Sequence, residues 1–117
     1  PNSILLALMA AGVNGPSFTY QGCLPIDKTE RAKRIKDLEQ MAQKHKQTQL
    51  FIETPFRNNS LLEDVLKNTA PQTLLCIACN LTGVDEFVKT QSVAQWRQEK
   101  IDLHKKPAIF LLYRLFQ

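Results

Sequence analysis

The chain has little sulfur and little imidazole, with only three cysteines and two histidines among 117 residues. An odd and sparse set of cysteines argues against a disulfide framework and indicates a reducing compartment, so we expect a cytoplasmic protein. No apolar run approaches the roughly 18 residues that a membrane-spanning helix needs, and we therefore expect no membrane partner. Repeats and low-complexity stretches are also absent from the sequence.

The charge is modest and positive. The formal net charge is +4, and hydrophobic residues make up 44% of the chain, as is ordinary for a folded domain. A small basic excess is compatible with a polyanionic partner such as RNA. A solvated basic surface explains the same number, so charge alone leaves both interpretations open.

Cys76 and Cys79 form a C-x-x-C pair, the spacing of zinc knuckles and redox dithiols. Such sites hold the pair in a turn or at the start of a helix, where the two sulfur atoms converge. Here the pair lies within the apolar run 73–79, which predicts a strand, and strand side chains three apart point to opposite faces. We predict that both thiols pack in the core and that they form no metal site.

Apolar periodicity alternates between helical and extended segments along most of the chain. This alternation predicts an α/β fold, a mixed central sheet of about four to five strands with helices packed on it. The predicted strands are 18–22, 48–53, 73–79, 86–90 and 107–116. The predicted helices are 2–11, a long one that begins at Asp27, one that begins with Ser60 as its cap, and 92–100 with Ser92 as its cap.

The long helix is amphipathic and strongly basic. Asp27 and Glu30 form a capping pair at its start. Ile35, Leu38 and Met41 share one face, and lysines and arginines occupy the others. Phosphate binding and simple solvation are both compatible with this face.

Polar residues follow the apolar run 73–79, at Asn80 and Thr82. In open α/β sheets, ligands collect in the crevice beyond the carboxyl ends of the strands. This position favours a binding site, although a polar turn that merely closes a strand fits equally well.

Five segments together resemble the tetrapyrrole methylase superfamily of S-adenosylmethionine-dependent methyltransferases, in particular its branch that methylates a cytidine 2′-hydroxyl of 16S ribosomal RNA. The resembling segments, in the family's order, are PNSILLALMAAG, YQGCLP with the following KTERAKR, QLFIETPFRN, CIACNLTGVDEF and KPAIFLLY. Each segment is weak alone, and together they cover almost the whole chain.

The resemblance implies a two-domain enzyme of which this chain is a part. Residues 1–12 would be the last helix of a missing amino-terminal domain plus a linker, and 13–117 the carboxy-terminal methyltransferase domain. S-adenosylmethionine would lie between the domains, so we expect the isolated chain to bind it weakly and to be inactive. The implied cofactor-binding residues are Asn2, Ser3, Phe51, Ile52, Glu53, Asn80, Leu81, Thr82, Pro107 and Ala108.

The resemblance further implies a ribosomal RNA acceptor and a homodimer, and Arg57 matches an arginine in the strand-turn motif of the branch. For such an acceptor, Arg31 and Arg34 on the basic helix are predicted phosphate contacts together with Arg57. The resemblance identifies no catalytic base and no metal. Two departures weaken the RNA assignment, because the branch usually has lysine where this chain has Gly83 and often arginine where it has Cys79. A corrin or porphyrin precursor is therefore an alternative acceptor, and a non-catalytic binding or dimerisation module is a second alternative.

Overall fold

Five strands form one mixed sheet in the computed structural model, which describes residues 17–80 and 83–114. The strands are β1 (Phe18–Cys23), β2 (Thr48–Ile52), β3 (Leu74–Cys79), β4 (Phe87–Ser92) and β5 (Ala108–Tyr113). The helices of the described ranges are α1 (Lys28–His45), α2 (Asn58–Asn68) and α3 (Val93–Trp96), with a 3-10 turn at Pro55–Arg57. The predicted α/β class and strand number are confirmed. The predicted helix 2–11 lies outside the described residues.

The strands lie in the order β1-β2-β5-β3-β4. β1 pairs with β2 in parallel, whereas β5 is antiparallel to both of its neighbours, β2 and β3. β4 is antiparallel to β3. The carboxyl ends of β1, β2 and β3 therefore share one edge of the sheet with the amino ends of β4 and β5. The register of β1 shifts between Tyr20 and Cys23, where Gly22 has a φ of 68°.

Local capping signals set most of the helix starts. The Asp27 side chain accepts a hydrogen bond from the Glu30 amide at 2.9 Å, as the sequence predicts. Ser92 and Gln95 complete a reciprocal capping box before α3. The prediction for Ser60 is wrong, because the 3-10 turn that begins at Pro55 leads straight into α2 at Asn58.

The helix α1 packs along the sheet through one stripe of side chains. Arg31, Ile35, Leu38 and Ala42 are buried on it, at the spacing of one helical face. Met41, which the sequence assigns to this face, is only partly buried at its margin. Of the helices in the described ranges, none combines the length and the hydropathy that crossing a bilayer requires.

Apolar side chains are buried on both faces of the sheet. On the helix-covered face, Phe51, Ile77 and Phe110 belong to the larger core, which α1, α2 and α3 complete. On the other face, a smaller cluster consists of Leu50, Cys76, Ala78, Ile109 and Leu111. Strands β3 and β5 are thus buried on both sides, which explains their nearly continuous apolar sequences.

Cys76 and Cys79 lie on opposite faces of β3, as the strand interpretation predicts. Cys79 belongs to the larger core and Cys76 to the smaller cluster. Burial raises the pKa of each thiol above its ordinary value of 9.0, although a hydrogen bond with Thr90 and the charge of Lys106 respectively oppose the shift. In the described part of the chain, no three His, Cys, Asp or Glu side chains gather as metal ligands would.

We expect the free energy of unfolding to fall as pH rises above about 9. Below that value both thiols are protonated in the folded and the unfolded chain, so they add no pH dependence. Above it the unfolded thiols ionise while the buried ones resist, and unfolding then releases protons. Urea unfolding between about pH 8 and pH 10 measures how steeply the free energy of unfolding falls with pH. The double variant Cys76→Ala/Cys79→Ala should lose less stability over this range, and an unchanged slope would contradict the assignment.

Candidate cofactor site at the sheet edge

The carboxyl ends of β2 and β3 lie at the same edge of the sheet, on either side of the start of β5. Ile52 pairs with Ile109, and Cys79 pairs with Ala108. Only β5 separates the two strand ends, so they lie about 10 Å apart, or two strand spacings. The turns that leave the sheet after β2 and β3 therefore lie close enough to form two walls of one nucleoside-sized slot.

The β3 wall of this slot has a fixed backbone. Asn80 has a left-handed φ of 51°, and its amide donates to the Pro107 carbonyl at 2.9 Å. The Gly83 amide donates to the Asn80 carbonyl at 2.8 Å, which closes the turn. Ala108 lies between the two strand ends, and its small side chain is buried in the larger core. The predicted residues Leu81 and Thr82 lie outside the described residues, as do Asn2 and Ser3.

The β2 wall presents its main chain more than its side chains. Phe51 stacks on Phe110 in the core, with ring centroids 5.7 Å apart and planes 4° from parallel. The Glu53 carboxylate is buried and accepts a hydrogen bond from the Thr54 amide at 2.7 Å. Arg57 Nε lies 3.2 Å from the same carboxylate. Any cofactor contact from Phe51 or Glu53 is therefore expected through backbone N–H and C=O groups.

Arg31 joins the β2 wall to the helices through a buried ionic network. Its Nη2 atom donates to Glu53 Oε2 at 2.7 Å, and Nη1 donates to Asp64 Oδ2 at 3.1 Å. Its Nε atom donates to the Pro25 carbonyl at 3.0 Å. Because Glu53 directly follows β2 and Asp64 lies on α2, this one guanidinium fixes the turn at the end of β2 against both helices.

The prediction that Arg31 contacts RNA is wrong. The residue is only 1% exposed, and its donors are engaged by the network described above. A phosphate could reach it only by displacing buried carboxylates, which would leave uncompensated charges in the core. Arg31 is in phase with Ile35, Leu38 and Ala42 on the buried face of α1.

The two other predicted RNA contacts remain accessible to different extents. Arg34 is partly buried and donates to Gln21 Oε1 at 2.6 Å. Arg57 has a side chain that is 42% exposed, beside the β2 wall. Phe56 and His104 meet at the same edge, with ring centroids 5.7 Å apart, and no signal in the sequence predicts this contact.

Two curated relatives resemble the chain in sequence. Ribosomal RNA small subunit methyltransferase I from Buchnera aphidicola and the protein of the same name from Vibrio cholerae are each 27% identical over 115 residues. The match covers 96% of this chain but only 39% and 38% of the relatives. The chain thus spans about two fifths of the length of these proteins. No protein-family model matches the chain.

Solved methyltransferase structures share the fold. The methyltransferase CobJ superposes with a TM-score of 0.59 at 17% identity, over 95% of this chain and 47% of its own. Cobalt precorrin-4 methyltransferase CbiF gives 0.59 at 16% identity, over 96% and 48%. The resemblance to the tetrapyrrole methylase superfamily is confirmed. The precorrin-6Y methylase of Archaeoglobus fulgidus has the same fold, with a TM-score of 0.51 at 16% identity over 98% of this chain and 46% of its own.

Proposed function

We propose that the chain is the carboxy-terminal part of an S-adenosylmethionine-dependent methyltransferase that acts on a ribose 2′-hydroxyl of ribosomal RNA. The observation that supports this most is that the ends of β2 and β3 lie on either side of the start of β5, because both ends belong to segments in which the family resemblance is found. The partial coverage of the relatives supports a missing amino-terminal domain, with 1–12 as its last helix and linker. On this proposal the protein is cytoplasmic and acts as a homodimer.

The residues at the slot fit an adenosine-containing cofactor. The turn at Asn80 is held by two main-chain hydrogen bonds. An adenine edge can be recognised by backbone N–H and C=O groups, so such a site needs no particular side chains. Asn2, Ser3, Phe51, Ile52, Glu53, Leu81, Thr82, Pro107 and Ala108 remain the proposed contacts, together with Asn80.

The proposed reaction requires this chain mainly to position the acceptor and the cofactor. S-adenosylmethionine supplies an activated methyl group on a sulfonium. The protein aligns the acceptor oxygen with that methyl group, excludes water and assists removal of the hydroxyl proton. The rigid attachment of the β2 turn by Arg31 serves the first of these tasks, since it fixes one wall of the slot relative to the sheet.

A tetrapyrrole precursor is the alternative acceptor, since the structural neighbours include enzymes named for precorrin substrates. RNA is favoured because both sequence relatives are named for ribosomal RNA. An assay of the protein of full natural length with labelled S-adenosylmethionine decides between the two acceptors. Ribosomal RNA from a strain that lacks the gene should accept the methyl group, and mass spectrometry should locate it on a ribose. Labelling of a corrin precursor instead, or of no acceptor, would contradict the proposal.

A matched pair of variants at Asn80 tests the slot itself. Asn80→Gly keeps the left-handed backbone without strain and should retain cofactor affinity in the full-length protein. Asn80→Val places a β-branched residue at a positive φ, so the turn must rearrange and affinity should fall about tenfold. Titration calorimetry with S-adenosylmethionine measures both. Equal affinities for the two variants would argue against this wall.

A further inference from the structure

An exposed aromatic side chain lies beside the slot, on a segment that is firmly held. Phe56 is 68% exposed, in the 3-10 turn that follows the end of β2. Its ring contacts His104 edge to face, with centroids 5.7 Å apart. Exposing so much of a phenylalanine gains nothing for folding, because the apolar ring stays in water.

Hydrogen bonds hold the two halves of this aromatic pair together. The Lys105 amide donates to the Pro55 carbonyl at 3.1 Å. Asn58 Nδ2 donates to the Lys106 carbonyl at 2.6 Å, and the Leu103 amide donates to Asn59 Oδ1 at 2.7 Å. The start of α2 thus anchors the segment 103–106, which leads through Pro107 into β5. The pair is a preorganised surface, fixed relative to the proposed cofactor.

The residues next to the pair are cationic. Along the chain, Arg57 follows Phe56, and Lys105 and Lys106 follow His104. The carboxylate of the nearby Asp102 already has hydrogen-bond partners, because it accepts from the Asn59 side chain and from the His104 amide. Lysine is depleted at protein–protein interfaces, whereas aromatic rings beside cations are the usual surface for single-stranded nucleic acid.

We infer that Phe56 and His104, flanked by Arg57, Lys105 and Lys106, form a stacking platform for an unpaired base of the RNA acceptor. This inference rests on the proposed function and names how that site would hold its substrate. A base stacked on Phe56 beside the slot brings its neighbouring ribose toward the cofactor, while the cations contact the flanking phosphates. Any base can stack, so the platform supplies affinity and placement rather than sequence choice.

The test measures binding of a fluorescein-labelled single-stranded RNA of about 12 nucleotides to the full-length protein by anisotropy. Phe56→Ala should weaken RNA binding about tenfold, and Phe56→Trp should retain it because the indole also stacks. Phe18→Ala is the matched control, since Phe18 is 45% exposed but starts β1 at the opposite edge of the sheet. It should leave RNA affinity unchanged.

The cationic part has its own pair of variants. Lys105 has a φ of 64° and Lys46 a φ of 52°, so asparagine tolerates either position. Lys105→Asn should lower RNA affinity and reduce its salt dependence, whereas Lys46→Asn, at the far end of α1, should change neither.

The outcomes separate the platform from the proposed function. Phe56→Ala with normal RNA binding and normal cofactor binding would overturn the platform alone. Wild-type protein that binds no RNA would also overturn it, and a protein partner would then be the better occupant of this surface. Wild-type protein that binds RNA through Phe56 but fails to bind S-adenosylmethionine would support the platform and overturn the methyltransferase assignment.

Discussion

Replacing Arg31 with methionine is expected to lower the free energy of unfolding by about 3–5 kcal/mol. Methionine fills much of the same space but offers no donor, so Glu53 and Asp64 would remain buried without their shared guanidinium. A loss of this size is a large fraction of the stability of a typical domain. Urea unfolding of the 117-residue chain, followed by the fluorescence of its single tryptophan, Trp96, measures it.

Arg34→Met is the matched control for Arg31. Arg34 lies one turn further along α1 and is only partly buried, with a hydrogen bond to Gln21. Its replacement should cost less than about 1 kcal/mol. Adding Glu53→Gln and Asp64→Asn to Arg31→Met should recover part of the loss. The two buried carboxylates, which without Arg31 keep only the more exposed Arg57 and Lys28 beside them, are then neutral. Equal costs for the two methionine variants, or no recovery, would show that the network does not hold the fold.

Phe110→Ala is expected to cost about 3–5 kcal/mol, since it opens a cavity at the centre of the sheet. Phe110 is fully buried, lies on the strand between β2 and β3, and stacks on Phe51. Phe56→Ala removes the same atoms from an exposed position and should change stability by no more than about 0.5 kcal/mol. The same unfolding measurement compares them.

These two phenylalanine variants should separate stability from function. Phe110→Ala should lose folded protein, whereas Phe56→Ala should fold normally and lose RNA affinity. A stability loss for Phe56→Ala close to that of Phe110→Ala would mean that the exposed ring supports the fold, and RNA binding by that variant would then need to be measured below its unfolding transition.

The identity and order of the described elements could be predicted because their signals are local. The alternation of apolar runs and capped helices gives β1 to β5, α1 and α2 to within a few residues, whereas α3, predicted to extend to residue 100, ends at Trp96. The position of β5 could not be predicted, because an apolar run such as 107–116 does not specify its partners. The structure inserts it, antiparallel, between β2 and β3.

The sequence predicts the strand ends of the candidate site but not the ionic network that supports them. Residues 51–53 and 80 lie at strand ends, which the apolar runs locate. Arg31 is in phase with the buried face of α1, but its partners are 22 and 33 residues away along the chain. The sequence does not show these partners, so it predicts RNA contact for Arg31 as for the solvated arginines of the same basic helix.

The antiparallel strand in the middle of the sheet has a consequence for biosynthesis. β5 is the last of the five strands to leave the ribosome, yet β2 and β3 make no ladder with each other and meet only through it. Until it arrives, the earlier segments can form a β1–α1–β2 unit and a β3–β4 hairpin but not a joined sheet. The nascent chain would therefore lack the paired strand ends at residues 52 and 79 until β5 has been synthesised.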